Sequence, residues 1–259
     1  MAKASRQDRT ASDADQAEVE LFGRLGEQWW DPTGPMRALH KFNPVRVEWL
    51  RDKMVERFPA TGGGKRDVKR GRPLEGLSIL DIGCGAGLLA EPMARMGASV
   101  TGIDPAARNV EVARAHAEEA GLAIDYRVQS SEALLASGAR FDVVLAMEVV
   151  EHVADMRGFV VTAGALVKPD GMLFVATLNR TLKSFALGIV AAEYVLRWVP
   201  RGAHRWERFV TPRELERAIA AAGLSTTAQS GVVYDLFRDR WRPSSDMDVN
   251  YMMAAMRRL

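Results

Sequence analysis

The chain has almost no cysteine. Its one thiol, Cys84, has no internal partner, so no disulfide framework holds the fold, and a reducing compartment suits it. Charge of one sign is also missing. Lys and Arg number 35 against 33 Asp and Glu, a net charge of +2, and a balance this near neutral excludes a general nucleic-acid binder. Long apolar runs are absent. A span needs about 20 mainly apolar residues, and the best stretch, residues 185–192, stops at Glu193. Residues 1–18 mix Lys3, Arg6 and Arg9 with Asp8, Asp13, Asp15 and Glu18. That stretch lacks the apolar run of a signal peptide and is too acidic for a transit peptide, so it reads as a solvated, mobile tail. The rest is ordinary: 259 residues, 47% hydrophobic and 26% charged. Such a composition excludes a mostly disordered chain or a collagen-like repeat and fits one globular domain, residues 19–259.

Val19, Leu21, Phe22 and Leu25 suggest a short amphipathic helix, followed by Trp29-Trp30-Asp31-Pro32, which caps the core or lines a lid. The spacing predicts a second helix starting at Pro44 with Asn43 as N-cap, its stripe being Val47, Leu50, Met54 and Phe58. Residues 59–76 form a loop with Gly62-Gly63-Gly64, Lys65, Arg66, Lys69, Arg70 and Arg72. It reads as a solvated linker, with a basic contact to anionic lipid or a partner as the other reading.

After Gly76 short apolar runs alternate with helical patterns. Residues 78–82, 99–103, 124–128, 141–146 and 172–177 read as strands, and 88–96, 107–120 and 156–167 as helices. This alternation predicts an α/β fold, a doubly wound parallel sheet covered on both faces. Lys168-Pro169-Asp170-Gly171 reads as a turn. Residues 178–210 are too long for a simple connection and read as an insertion. Thr211 then caps a helix with Glu214 completing a capping box, and Gly223 ends it.

The sharpest chemical signal is Ile79-Leu80-Asp81-Ile82-Gly83-Cys84-Gly85-Ala86-Gly87. An apolar strand enters a turn with three alternate glycines, which lets a ligand lie against backbone. The spacing is not that of dinucleotide pyrophosphate loops. A carboxylate at Asp81 is awkward for pyrophosphate and suits a cationic ligand. Asp104 ends the next strand, 17 residues beyond Gly87, where an acid can accept both hydroxyls of a ribose. Asp81, the glycine turn and Asp104 should therefore share the carboxyl edge of the sheet.

This pattern resembles the class I methyltransferases that use S-adenosylmethionine. The resemblance implies a seven-stranded sheet with its last strand antiparallel. It also implies a glycine turn on the methionine part of the cofactor and Asp104 on the ribose. A narrower resemblance comes from several segments together: Trp29-Trp30-Asp31, residues 39–46, Met147-Glu148-Val149-Val150-Glu151-His152, residues 177–180, residues 192–197 and Asp248-Val249-Asn250-Tyr251-Met252. In that combination the chain is similar to the bacterial ubiquinone biosynthesis O-methyltransferase family, over roughly residues 19–253. The likeness places cofactor contacts on Arg46, Gly83, Asp104 and Met147, with Asp81, Gly85 and Gly87 completing the turn. Arg46 would offer a bidentate fork to the cofactor carboxylate. Met147 reads equally as an adenine contact or a core residue.

The implied acceptor is a phenol or quinol with a polyprenyl tail. A phenol pKa lies near 10, so attack on a sulfonium methyl needs phenolate character. If residues 148–155 are helical, Glu148, Glu151, His152 and Asp155 share one face. Glu148, Glu151 and His152 would then bind a divalent cation, magnesium by the family resemblance, that lowers the acceptor's pKa. Alternatively His152 acts as a metal-free general base beside a carboxylate. His40 and His204 read as structural, and Cys84 as packing beneath the cofactor.

Residues 184–199, if helical, are apolar except for a wedge with Glu193 and Arg197, and Arg201, His204, Arg205 and Arg208 follow. Such a helix suits a membrane interface, an active-site cover or a dimer contact. The expectation is a cytoplasmic protein, peripheral on the inner face of the membrane and in reach of other ubiquinone-pathway enzymes. Two other readings stay open: the same fold acting on a different small acceptor, and a lipid-binding assembly subunit that keeps the cofactor pocket.

Overall fold

The computed structural model describes residues 25–69, 71–187, 205–235 and 238–257, together with Gly23. The expected tail, most of the helix expected at 19–25, and the larger part of the insertion with Glu193, Arg197 and His204 lie outside the described residues.

A short 3-10 turn at Gly26–Trp30 leads into a long helix, α1, at Arg37–Arg57. Strands and helices then alternate: β1 Ser78–Ile82, α2 Ala90–Arg95, β2 Ser99–Asp104, α3 Ala107–Glu119, β3 Asp125–Val128, α4 Ser131–Ala136, β4 Phe141–Met147, α5 Met156–Ala165 and β5 Val167–Leu178. Beyond the insertion come α6 Pro212–Ala221, β6 Leu224–Asp235, β7 Arg240–Ser244 and β8 Asn250–Arg257. Among the described residues eight strands form one sheet, in the order β3-β2-β1-β4-β5-β8-β6-β7. β1 to β5 pair in parallel. β8 runs antiparallel to both of its neighbours, β5 and β6.

The doubly wound α/β expectation holds, with one strand more than the seven implied. The extra strand is β7, which pairs only with β6, at the sheet's edge. Pro243 sits there, where its missing N–H breaks no ladder. The Phe42 and Trp241 rings, 5.2 Å apart, pack α1 against this edge.

Alternate strand residues feed two cores. Ile79, Val143, Leu145 and Phe174 pack with α1, α2 and α3 through Leu50, Met54, Met93 and Val110. Leu80, Val144, Leu173 and Val175 pack with α4, α5 and α6 through Leu134, Phe159, Val160, Leu215 and Ile219. Continuous apolar strands are what a sheet buried on both faces requires. Truncating the fully buried Phe174 to alanine would cost about 3–5 kcal/mol.

Two local expectations need correction, and one helix is new. α1 begins at Arg37, so Pro44 lies inside it and Asn43 is no cap. The hydrogen bond that Pro44 cannot donate is offset by the burial of Phe42, Val45, Leu50 and Met54 on the same helix. Residues 168–171 are part of β5, with a register shift against β4 and Asp170 at φ +63° marking a bulge. α4, with Ser130 Oγ accepting from Ala133 N, was not anticipated. The Thr211 capping box is present: Glu214 N donates to Thr211 Oγ1, and Thr211 N to Glu214 Oε2 at 2.9 Å. In the 59–76 loop, Arg66 donates to the carbonyls of Pro73 and Glu75 and Arg72 pairs with Glu75, which suits a self-satisfied linker.

Candidate active site

The glycine turn follows β1 at the carboxyl edge of the parallel strands, as expected. Gly83 N and Cys84 N both donate to Ile103 O, tying the turn to the end of β2. Gly85 N donates to Asp104 Oδ2 at 3.0 Å. Gly85 has φ +53°, and a Cβ there would lie 2.9 Å from the Trp29 ring. Backbone alone fits beneath that indole. Val149 approaches Gly83 in the same way.

Asp104 is buried and heavily engaged. Its Oδ1 accepts from Ala106 N at 2.9 Å and from Asn109 Nδ2 at 3.2 Å. Asn109 Oδ1 in turn accepts from Trp29 Nε1 at 3.2 Å. With three of about four acceptor positions taken, roughly one remains for a ligand hydroxyl, not the two expected. Burial raises the Asp104 pKa against these three donors. Asp81 is buried on β1, and its Oδ2 has no hydrogen-bond partner. Burial pushes its pKa up to about 7; Arg46 opposes the shift and Asp104 adds to it.

Arg46 reaches this edge from α1, buried against the Phe42 ring. Asn43 Oδ1 accepts from Arg46 Nη2 at 3.1 Å, while Asn43 Nδ2 donates to Leu88 O. Arg46 Nη1 lies 3.9 Å from Glu148 Oε1. Burial lowers the Arg46 pKa, and Glu148, Asp81 and Glu151 oppose that. One guanidinium is therefore surrounded by three carboxylates, an arrangement that favours a ligand carrying positive charge.

Residues 148–155 are not helical. Glu148 sits in the left-handed region at φ +59°, and α5 begins only at Met156. Asp155 is the N-cap of α5, its Oδ1 accepting from Gly158 N, so it is no part of the acidic cluster. Glu148 and Glu151 converge all the same. Glu151 is buried, and Thr177 Oγ1 donates to its Oε2 at 2.8 Å. Glu148 Oε1 and Glu151 Oε1 accept no hydrogen bond. Burial and then Glu151 raise the Glu148 pKa, while Arg46 and His152 pull it down. Glu148, Glu151 and His152 are thus electrostatic neighbours, but among the described residues no three donors form a ready metal site. A turn, rather than the expected helical face, carries these side chains.

Met147 ends β4 opposite Ala176 and is buried in the core on the α1–α3 face. Cys84 is buried there too, and burial pushes its thiol pKa up, so it is no nucleophile. His40 Nε2 is 2.8 Å from Trp29 O, a structural contact. Asn109 and Thr177 escaped the sequence reading as site residues, and Asn43 entered it only as a helix cap. Asn43 and Thr177 lie in segments 39–46 and 177–180, which are shared with the resembling family; Asn109 carried no signal.

A model of the methyltransferase domain matches residues 47–229. A ubiquinone biosynthesis O-methyltransferase of Methylocella silvestris is 60% identical over 255 residues, covering 98% of this chain and 99% of that one. The chain belongs to the ubiquinone biosynthesis O-methyltransferase family. A second member, from Methylobacterium nodulans, is 57% identical and covers 96% of this chain and 97% of its own. Among solved structures, magnesium protoporphyrin IX methyltransferase from Synechocystis PCC 6803 with bound SAH aligns with a TM-score of 0.61. It is 18% identical and covers 93% of this chain and 99% of that one. An S-adenosylmethionine-dependent methyltransferase from Clostridium acetobutylicum gives 0.57 at 11% identity, covering 83% and 92%. These two share the fold. As a family member the protein is an O-methyltransferase, in a fold shared with enzymes that use S-adenosylmethionine.

Proposed function

We propose that the protein methylates phenolic hydroxyls of polyprenylated quinol and catechol intermediates in ubiquinone formation. The observation that carries this reading is the convergence of Arg46, Asp81, Glu148 and Glu151 beside the Gly83–Asp104 corner. When bound, the cofactor supplies a methyl group made electrophilic by a sulfonium. Arg46 would hold its carboxylate, Asp104 would take a ribose hydroxyl, and Gly85 would let it lie on backbone. Glu148, Glu151 and His152 face the acceptor. A buried carboxylate whose pKa is raised toward neutrality takes a phenol proton efficiently, which would leave the acceptor as the more nucleophilic phenolate.

Magnesium is the second cofactor in this reading. Two adjacent buried carboxylate oxygens without hydrogen bonds, Glu148 Oε1 and Glu151 Oε1, suit a hard cation. Magnesium is commonly bound by one or two carboxylates plus substrate and water, so Glu148 and Glu151 would hold it, with His152 nearby. It would lower the acceptor's pKa.

The polyprenyl tail argues for membrane contact. Leu182 is 81% exposed, Leu187 50% and Phe185 44%, all on the described edge of the insertion. Among the described residues no helix is long and apolar enough to cross a membrane, which agrees with a peripheral seat. Other enzymes of the pathway would be partners there, because a polyprenyl tail partitions into lipid.

The test is methyl transfer from labelled S-adenosylmethionine to a catechol, a carboxylate and an amine acceptor, with and without chelator. Transfer to the catechol alone supports the reading. Transfer only to the amine or carboxylate assigns a different acceptor. Cofactor binding with no transfer to any acceptor assigns a binding subunit.

A further inference from the structure

Trp29 and Trp30 precede the matched methyltransferase domain, which starts at residue 47, yet both indoles hold the glycine turn. Trp30 Nε1 donates to Ala86 O at 3.0 Å. The Trp29 ring lies on the Gly85 backbone, and its Nε1 donates to Asn109 Oδ1 at 3.2 Å. Asn109 Nδ2 passes the contact on to Asp104 Oδ1, also at 3.2 Å, and Trp29, Asn109 and Asp104 are all buried. An indole N–H can only donate and a carboxylate can only accept. Between them the Asn109 amide has a single orientation, oxygen to Trp29 and nitrogen to Asp104. Turned over, it would set acceptor against acceptor and donor against donor. Ala106 N and Asn109 Nδ2 then fill Asp104 Oδ1, while Oδ2 keeps one position beside Gly85 N.

We propose that Trp29 is a positioning residue for the cofactor ribose, acting through Asn109 to hold Asp104 so that Oδ2 alone is offered, to one ribose hydroxyl. Trp29 has this role only if the cofactor sits at the Gly83–Asp104 corner, as proposed above. Among the described residues Trp29 is the one donor to Asn109 Oδ1. Without the indole N–H, nothing there decides which way the amide faces. An amide oxygen turned toward Asp104 repels the carboxylate, and a rotated carboxylate no longer presents Oδ2 to the ribose. Burial sharpens the effect, because an unpaired polar group in a low-dielectric network is costly. Trp30, bonded to Ala86 O, fastens the same Gly26–Trp30 turn at a second point and keeps Trp29 in register with the glycine turn. A segment outside the matched domain thus sets which oxygen of Asp104 meets the ligand.

The experiment is calorimetric binding of S-adenosylhomocysteine and of its two monodeoxy analogues, each lacking one ribose hydroxyl. Wild type, Trp29→Phe, Asn109→Ala and the double variant are compared, with thermal melts to confirm folding. Trp29→Phe keeps an aromatic ring and removes the donor. It should weaken S-adenosylhomocysteine and one analogue roughly 5-fold and leave the other analogue, which lacks the hydroxyl that Asp104 takes, unchanged. Asn109→Ala should show the same dependence on that hydroxyl, and it carries the test alone if Trp29→Phe does not fold. The double variant should bind no more weakly than Asn109→Ala, because one path carries both effects. A loss shared by all three ligands would overturn the inference, since ring packing on Gly85 would then suffice. A loss absent from both analogues would overturn it too, because Asp104 would then hold both hydroxyls. Unchanged affinity for S-adenosylhomocysteine in Trp29→Phe, or losses that add in the double variant, would do the same. Wild type that binds all three ligands alike would instead defeat the assignment of the ribose to Asp104, and wild type that binds none would defeat the cofactor assignment.

Discussion

Thr177 Oγ1 donates a 2.8 Å hydrogen bond to Glu151 Oε2, and both residues are buried at the edge where β5 leaves the sheet. One oxygen of Glu151 is thereby fixed, and the other, Oε1, is aimed without a donor of its own. Thr177 is fully buried, so its hydroxyl has no water to exchange with. Thr177→Val keeps the shape and removes the donor. Turnover should fall roughly 10-fold while the KM for the cofactor holds, and Thr177→Ser should restore it. Stability should drop by about 2 kcal/mol, the worth of a hydrogen bond to a charged group. Denaturant titration and steady-state kinetics on the same preparations check both, and unaltered kcat would remove Thr177 from the site.

Gly85 makes a second test. Its φ of +53° and the Trp29 ring 2.9 Å from a would-be Cβ leave no room for a side chain. Gly85→Ala must displace the indole or distort the turn that carries the Asp104 contact. A left-handed alanine costs about 1–2 kcal/mol before any clash. S-adenosylhomocysteine binding should disappear from calorimetry while circular dichroism stays native. Retained affinity would mean that the turn does not contact the cofactor.

Much of this site is legible in local sequence because its signals are local. The glycine spacing, Asp81 two residues before it and Asp104 at the tip of β2 follow from one strand-turn-helix unit and its neighbour. The acidic cluster is different. Glu148 at φ +59° breaks the helix that the i, i+3, i+4 spacing suggests, yet tertiary packing still brings Glu148 and Glu151 together. Pro44 reads as a helix start, but burial of Phe42 and Val45 carries the helix through it. β8 hides for a similar reason. Its Tyr251-Met252-Met253-Ala254-Ala255 run has the residues of a good helix former, and it is a strand because β5 and β6 bind it on both sides. Contacts made between elements, such as Asn109 with Trp29 across 80 positions, leave no periodic trace at all.

The membrane reading stands on Leu182, Phe185 and Leu187, which together expose an apolar edge next to Lys183. Replacing all three with asparagine removes that surface without touching the corner at Gly83. Co-sedimentation with vesicles containing anionic lipid should weaken at least 10-fold, since burying each such side chain is worth about 1.5–3 kcal/mol. Turnover on a soluble catechol should be unchanged. Vesicle binding equal to that of wild type would place the contact elsewhere or remove it.

Asp81 gives a pH test with a definite sign. Its native pKa, near 7, lies above its ordinary value of 3.8 because burial penalises the anion more than Arg46 favours it. Between those two values the folded chain holds a proton that the unfolded chain has released. Stability therefore falls as pH rises through this window, the opposite of a carboxylate held by a strong ion pair. Asp142 and Glu214, whose pKa values are lowered, act in the other direction but only near and below their ordinary values. The range from pH 5 to 8 lies above theirs. In cofactor-free protein the melting temperature should decline across that range. Asp81→Asn should flatten the decline and raise the melting temperature at pH 8, leaving the part due to Glu148 and Asp104, whose pKa values are also raised. A wild-type profile that is flat or rising from pH 5 to 8 would show that Asp81 is ionised throughout, with Arg46 as a full counter-ion.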